Sequence, residues 1–393
     1  MNKLPKKRLG DIMTLHRGYD LPATKRVEGL VPVIGSSGIT GTHSVAKLDG
    51  PNVITGRYGT IGEVIYHDGP CWPLNTTLYV SDFHDNNPRY VAYLLQVALN
   101  ATYLDGTDKS TVPGVDRNVL HEFSIPFVED KAGQQRIVDV LSAIDDKIEN
   151  NRKLMAELEA TARLVYDEWF VRFDFPDEQG RPYRSSGGKM VWNDQLKREI
   201  PARWKVEQLG QVCETRLGGT PSTDVAAYWN GNIPWLNSAE VADSPILEAA
   251  KSITERGVHD SATSFAPAGS VLLSITRYIR PSILAIDSCF NQSVVAVLEN
   301  DDLHCEYLYP FMQSQVPRYL TLRTGAQQPH INKETVDSTW VAVPARQVLD
   351  YYYDSVHPIM QAYLNTARTK LGLRHLRDWL LPMLMNGQIT VGE

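Results

Sequence analysis

The run QQRIVDVLSAIDDKIENNRKLMAELEATARLVYDEW, from Gln134 to Trp169, carries the strictest pattern in the chain. Its positions Ile137, Leu141, Ile144, Ile148, Asn151, Met155, Leu158, Ala162, Val165 and Trp169 step by 4 and 3 in alternation, and all but Asn151 are apolar. Spacing of this kind returns apolar residues to one side of a helix and makes a coiled-coil seam. At 1.5 Å per residue these 36 residues span ~54 Å, far beyond the ~11-residue mean helix, long enough to hold two domains apart. Near the C-terminus Leu349, Tyr352, Val356, Ile359, Tyr363, Thr366, Lys370 and Leu373 keep a poorer heptad. It drifts to Leu376, Leu380 and Leu384 with Trp379 beside them, and Pro358 predicts a kink. This second segment is the natural mate of the first.

Outward from the helices, the chain repeats itself. Arg8-Leu9-Gly10-Asp11-Ile12 is echoed by Gln208-Leu209-Gly210-Gln211-Val212, Arg57-Tyr58 by Arg277-Tyr278, and Pro113 by Pro329. Phe123-Ser124-Ile125-Pro126 is echoed by Trp340-Val341-Ala342-Val343-Pro344, Ile137 by Leu349, and Trp169 by Trp379. Matches in constant order point to a duplicated unit with loop insertions. Each half opens with β-branched and aromatic runs punctuated by turn signals such as Gly35-Ser36-Ser37-Gly38 and Gly218-Gly219-Thr220-Pro221, and each ends in helix. Between the halves, Asp174-Phe175-Pro176-Asp177 and Ser185-Ser186-Gly187-Gly188 lack periodicity and read as linker.

The expected fold class is therefore α+β: two pseudo-symmetric domains of mixed α/β structure separated by two long antiparallel helices forming a coiled coil. The boundaries are 1–130 for the first domain, 131–172 for the first spacer helix, 173–200 for the linker, 201–345 for the second domain and 346–393 for the second spacer helix. An antiparallel helix pair with a globular domain at each end satisfies the connectivity and gives a pseudo-twofold axis.

Composition narrows the function. Of 393 residues, 42% are hydrophobic and 22% charged, which fits globular domains and not a disordered chain. No apolar window is long enough to cross a bilayer and no signal peptide follows Met1, so the expected location is the cytoplasm, with no membrane partner. Cys71, Cys213, Cys289 and Cys305 lack ligand spacing, so buried reduced thiols are expected and no metal site. With 39 Lys and Arg against 46 Asp and Glu the net charge is −7, so any DNA binding must come from local patches or a basic partner.

Searches for catalytic spacings fail. The chain has no Pro-Pro dipeptide, hence no Asn-Pro-Pro-aromatic loop of an amino-methyltransferase. Gly56-Arg57-Tyr58-Gly59-Thr60-Ile61-Gly62 lacks the P-loop ending and reads as a turn. Glu129-Asp130-Lys131 and Asp145-Asp146-Lys147 could suggest a nuclease, but a helix start and a solvated helix face account for them. His121-Glu122 has no second histidine four residues on.

What remains is polar material suited to recognition. Gln327, Gln328, His330, Asn332 and Lys333 share one loop before a strand, and Lys109, Ser110 and Arg117 lie in its counterpart. Amides can contact adenine bidentately, and Arg or Lys can read guanine. Arg57, Tyr58, Arg277 and Tyr278 join these as candidate DNA-contacting residues, with strand-edge packing as the bland alternative. Two other functions stay open: a stand-alone DNA-modifying or DNA-cleaving enzyme, or a coiled-coil scaffold that binds no nucleic acid.

The chain resembles the specificity subunits of type I restriction-modification systems over essentially its whole length. The resemblance rests on Gln134-Gln135-Arg136-Ile137-Val138 opening the long helix, Ile144-Asp145-Asp146-Lys147-Ile148, Asn150-Asn151-Arg152-Lys153, Ile200-Pro201-Ala202-Arg203-Trp204, Gly325-Ala326-Gln327-Gln328 and the ending Leu380-Leu381-Pro382-Met383-Leu384. Tyr351-Tyr352-Tyr353 with His357-Pro358, and Thr107-Asp108-Lys109-Ser110, depart from the family pattern. The resemblance implies two target-recognition domains, each reading half of a bipartite, asymmetric double-stranded DNA site; a rigid helix pair between two such domains predicts half-sites on one face of the duplex, about one turn or 10–10.5 bp apart centre to centre. It implies helices that set the gap and bind two modification subunits, and a motor-nuclease restriction subunit as a further partner. No catalytic residue and no cofactor is implied in this chain; S-adenosylmethionine belongs to the modification subunits, ATP and Mg to the motor subunit.

Overall fold

The computed structural model describes residues 4–101, 114–276, 278–325 and 329–392. The chain forms two compact units, residues 1–149 with 372–393 and residues 150–371.

In the first unit the strands are β1 (Lys6–Arg8), β2 (Thr14–Arg17), β3 (Val31–Gly35), β4 (Gly38–His43), β5 (Asn52–Gly56), β6 (Val64–His67), β7 (Trp72–Pro73) and β8 (Thr77–Asp82). Helices α1 (Pro88–Leu99) and α2 (Arg117–Glu122) and strand β9 (Ser124–Pro126) follow and lead into α3 (Lys131–Tyr166). The main sheet, ordered β2-β8-β5-β6, is antiparallel; a smaller sheet, β4-β3-β7, contains the parallel pair β3-β7. β5 is buried at every residue because alternate side chains meet opposite covered faces. Val53 enters the core under α1, and Ile54 joins Ile34 and Tyr79 on the other side. Asn87 starts α1, its side chain accepting from the N–H of Arg89 (2.9 Å) and Tyr90 (3.2 Å), with Pro88 in the first turn. Ile137, Val138 and Leu141 of α3 close this core with Leu381, Leu384 and Met385 from the C-terminal helix.

The second unit includes a hairpin of β10 (Met190–Asn193) and β11 (Arg198–Pro201). It runs β12 (Lys205–Gln208), α4 (Leu209–Val212), β13 (Thr215–Leu217), β14 (Trp229–Leu236), β15 (Lys251–Ile253), α5 (Glu255–His259), β16 (Ser264–Ala266) and β17 (Val271–Ser274). Then come β18 (Arg280–Ile283), β19 (Ser288–Phe290), β20 (Val294–Val297), α6 (Cys305–Thr321), α7 (Lys333–Asp337), β21 (Trp340–Val343) and α8 (Arg346–Met385). Its main sheet, β13-β20-β17-β18, copies the order of the first unit. β15-β14-β19, with β14-β19 parallel, copies β4-β3-β7 and adds β16 at the edge; β12-β21 copies β1-β9. The duplication is thus a repeat of topology.

Hydrogen bonds fix its register. The N–H of Val115 donates to the carbonyl of Arg57 (2.8 Å), and that of Ile331 to the carbonyl of Ile275 (3.0 Å). Arg57 therefore corresponds to Ile275, and the sequence pairing of Arg57 with Arg277 is two residues out. In the helices, aligning Lys131 with Arg346 lays buried Gln134, Ile137, Val138 and Leu141 on buried Leu349, Tyr352, Tyr353 and Val356. The pairings of Ile137 with Leu349 and of Trp169 with Trp379 are out of phase. Trp379 is 53% exposed and its true counterpart Leu164 is 69% exposed, so Trp379 is not a seam residue.

Within the first unit the start of α3 packs on the end of α8; within the second, Met155, Ala162 and Tyr166 of α3 pack with Tyr352, Val356, Met360 and Tyr363 from the first part of α8. The two helices are antiparallel. Ile137, Leu141, Met155, Leu349 and Val356 are buried, while Ile144, Ile148, Leu158, Val165, Trp169, Ile359 and Leu373 are half-buried. α8 runs through Pro358 as one continuous helix. Residues 173–200 hold more structure than a linker. Phe173 and Phe175 are buried, and Phe175 stacks on Tyr183 (4.7 Å between centroids) and Trp204 (5.4 Å).

Candidate nucleic-acid interface

Three arginines of the first domain converge on one cleft of about 430 Å³. Arg17 ends β2, Arg57 follows the last residue of β5, and Arg117 opens α2 after Asp116, whose carboxylate accepts from the N–H of Asn118 (2.7 Å). β5 can end there because its neighbour loop folds back on Gly56, where a Cβ would overlap the carbonyl of Thr60. The glycines of this stretch therefore make a turn, as their spacing predicts. Tyr58 is 49% exposed at the cleft edge, with the Arg57 guanidinium 4.6 Å from its ring centroid and Gly114 against the ring.

Behind Arg117, His121 ties α2 to β2: its Nε2 accepts from the N–H of Leu15 at 3.0 Å. Burial, and secondarily the charge of Arg117, hold this imidazole below its ordinary 6.5. Asp130 caps α3 through the N–H of Gly133 (2.8 Å), and Glu129 pairs with Lys7 (2.8 Å). Asp145 is not the solvated charge expected from its heptad position. It accepts from the Tyr93 hydroxyl (2.5 Å) and from Arg377 (3.2 Å), while Asp146 pairs with Arg89 (3.1 Å).

In the second domain Tyr278, on the turn between β17 and β18, is 56% exposed and has the Arg280 guanidinium 5.9 Å from its centroid. Tyr278, Arg280, Gln313, Val316, Leu320 and Arg323 line a cleft of about 590 Å³. His330 bridges Thr276 and Thr324 through its backbone. Asn332 caps α7 by accepting from the N–H of Thr335 (2.9 Å), and Lys333 pairs with Asp337 (2.6 Å), which also accepts from the Thr215 hydroxyl (2.5 Å). Asn332 and Lys333 are thus engaged in holding the fold. Lys109, Ser110, Arg277, Gln327 and Gln328 lie outside the described residues.

Sequence reasoning missed Arg17, Arg280 and Arg323. Arg17 has no like counterpart, since register places Leu217 there. Alternation would have signalled Arg280, two residues beyond Tyr278. All four cysteines are buried and free, and burial raises the thiols of Cys71 and Cys289 to about 11 and Cys213 to about 12. Glu299, Cys305 and Glu306 bring potential ligand atoms within 4.8 Å of one another. Local bonds account for these groups: Glu299 accepts from the Cys305 N–H (3.1 Å) and Glu306 pairs with His357 (2.9 Å). Among the described residues no helix is long and apolar enough to cross a membrane.

Two copies of one α+β frame, each with a basic cleft edged by an exposed tyrosine, define a protein of duplicated domains. Residues 1–160 and 201–350 both match the family model of the type I restriction modification DNA specificity domain, and the chain belongs to that family, as a specificity subunit of a type I restriction-modification system. It is 24% identical over 312 residues to the type I restriction enzyme MjaIX specificity subunit of Methanocaldococcus jannaschii, covering 77% of this chain and 69% of that protein. It is 23% identical over 313 residues to the HindI specificity subunit of Haemophilus influenzae, covering 67% and 68%. In fold it is similar to the crystal structure of the S subunit from M. genitalium, with a TM-score of 0.57, 16% identity and coverage of 98% of this chain and 97% of that one.

Proposed function

We propose that each globular domain reads one half of a bipartite, asymmetric double-stranded DNA site, and that the two long helices set the gap and bind two modification subunits. In this reading the chain is non-catalytic and carries no cofactor of its own. The modification subunits bring S-adenosylmethionine and methylate the site; a motor-nuclease subunit bringing ATP and Mg joins to cut unmethylated DNA.

The observation that carries the reading is divergence on a shared frame. Where the first domain has Arg17, Arg57 and Arg117, the second has Leu217, Ile275 and Lys333 at the same register positions. Two modules built alike but lined differently engage DNA differently, and their exposed edges, Tyr58 in one and Tyr278 with Arg280 in the other, are suited to two different sequences. Their arginines are also available: among the described residues Arg17, Arg57, Arg117, Arg280 and Arg323 have no carboxylate partner. Local cation clusters of this kind answer the net charge of −7.

Sequencing methylated sites in a host carrying the complete system tests this. The wild type should give one bipartite motif. Tyr278→Ala with Arg280→Ala should relax one half only and Tyr58→Ala the other, at ~1–3 kcal/mol of discrimination per lost base contact. Equal loss in both halves from either variant would sink the reading.

A further inference from the structure

The arginine cleft of the first domain invites a finer assignment, which rests on the reading of that domain as a DNA binder. Among the described residues three guanidiniums line about 430 Å³ with one carboxylate, Asp116, whose oxygen already accepts from a backbone N–H. Like charges brought together repel, so their ligand must carry negative charge at more than one point. A base edge is neutral and takes one bidentate arginine. A duplex backbone presents one charge per ~1.7 Å of axis, in acceptors that match the planar guanidinium fork. Among the described residues the equivalent place in the second domain has Leu217, Ile275 and a lysine already paired with Asp337, in place of three arginines.

We propose that the cleft of Arg17, Arg57 and Arg117 holds adjacent backbone phosphates and anchors the complex on DNA through its first domain, without reading bases. The two domains then share recognition unequally: the first supplies most of the sequence-independent hold.

The test uses the full chain assembled with its modification subunits and a library of duplexes of randomised sequence. Arg17→Gln with Arg117→Gln leaves Arg57 on Tyr58 and changes two exposed side chains. Affinity should fall alike for all sequences, the slope of log affinity against log salt should flatten by about 2, at ~0.9 per phosphate, and the selected motif should stay the same. Arg17→Lys with Arg117→Lys should restore the slope, which a folding defect would not do. A relaxed base at one position with the slope unchanged would overturn the proposal in favour of base reading, and an unchanged slope and affinity would overturn it outright. A wild type that selects no bipartite motif would instead remove the two-half-site reading, while the slopes still decide the anchor.

Discussion

Tyr58 owes its position to a residue with no side chain. A Cβ on Gly114 would overlap the tyrosine ring, so Gly114→Ala should displace Tyr58 and weaken DNA binding by about tenfold, or ~1.4 kcal/mol. Tyr58→Ala should cost about the same, and the double variant no more than either, because both remove one contact. Additive losses in a binding titration would show that Gly114 acts elsewhere. His121 gives a second prediction. Its pKa is depressed in the fold, so the unfolded chain binds the proton more tightly and the contribution is complete above 6.5. Stability should fall as pH drops from 6.5 through the lower folded value; His121→Gln, which can still accept from the Leu15 N–H, should flatten that part of a pH–Tm profile. Arg57 and Tyr58 were legible in the sequence as a repeated dipeptide, though matched to the wrong partner. Asn332 and Lys333 show the limit of residue type as a guide: an amide at a strand–helix junction serves equally as a cap, and only contacts distinguish the roles.

At the scale of elements, α3 was legible because its stripe is apolar almost throughout. α8 was legible as a helix but not in phase, since its buried stripe through Leu349, Val356, Met360, Tyr363 and Ala367 passes Lys370 and Arg377 before reaching Leu381 and Leu384. Following apolar residues alone across that polar interval slides the register onto Leu373, Leu376, Leu380 and Trp379. The corrected phase makes unequal predictions for two large side chains. Leu384→Ala should lose ~2–5 kcal/mol as a core truncation, whereas Trp379→Ala should stay within ~0.5 kcal/mol. Thermal unfolding checks both, and the reverse order of effects would restore the sequence-derived seam. The buried Asn151 has an amide nitrogen without a partner among the described residues. Asn151→Leu should therefore raise stability by ~1–3 kcal/mol through relieved desolvation, read as a higher Tm. The hairpin and stacked aromatics of residues 173–200 escaped notice for another reason: their Gly, Pro and Ser content masks aromatic contacts that follow no period.

At the scale of the molecule, duplication was legible from the order of weak matches, and sheet order gives it substance: β2-β8-β5-β6 and β13-β20-β17-β18 are one topology written twice. What the repeat could not convey is which positions the halves use differently, because insertions shift the register by amounts that only strand pairing resolves. The central claim is that each copy of the frame reads its own half-site while the helices stay common to both. Replacing residues 201–345 by a second copy of residues 1–130, and sequencing the sites methylated in a host carrying the otherwise complete system, addresses it most directly. The account predicts a symmetric motif in which the half-site of the first domain occurs twice as an inverted repeat, with the half-site of the second domain lost. Methylation of the original asymmetric motif by the duplicated chain would contradict it.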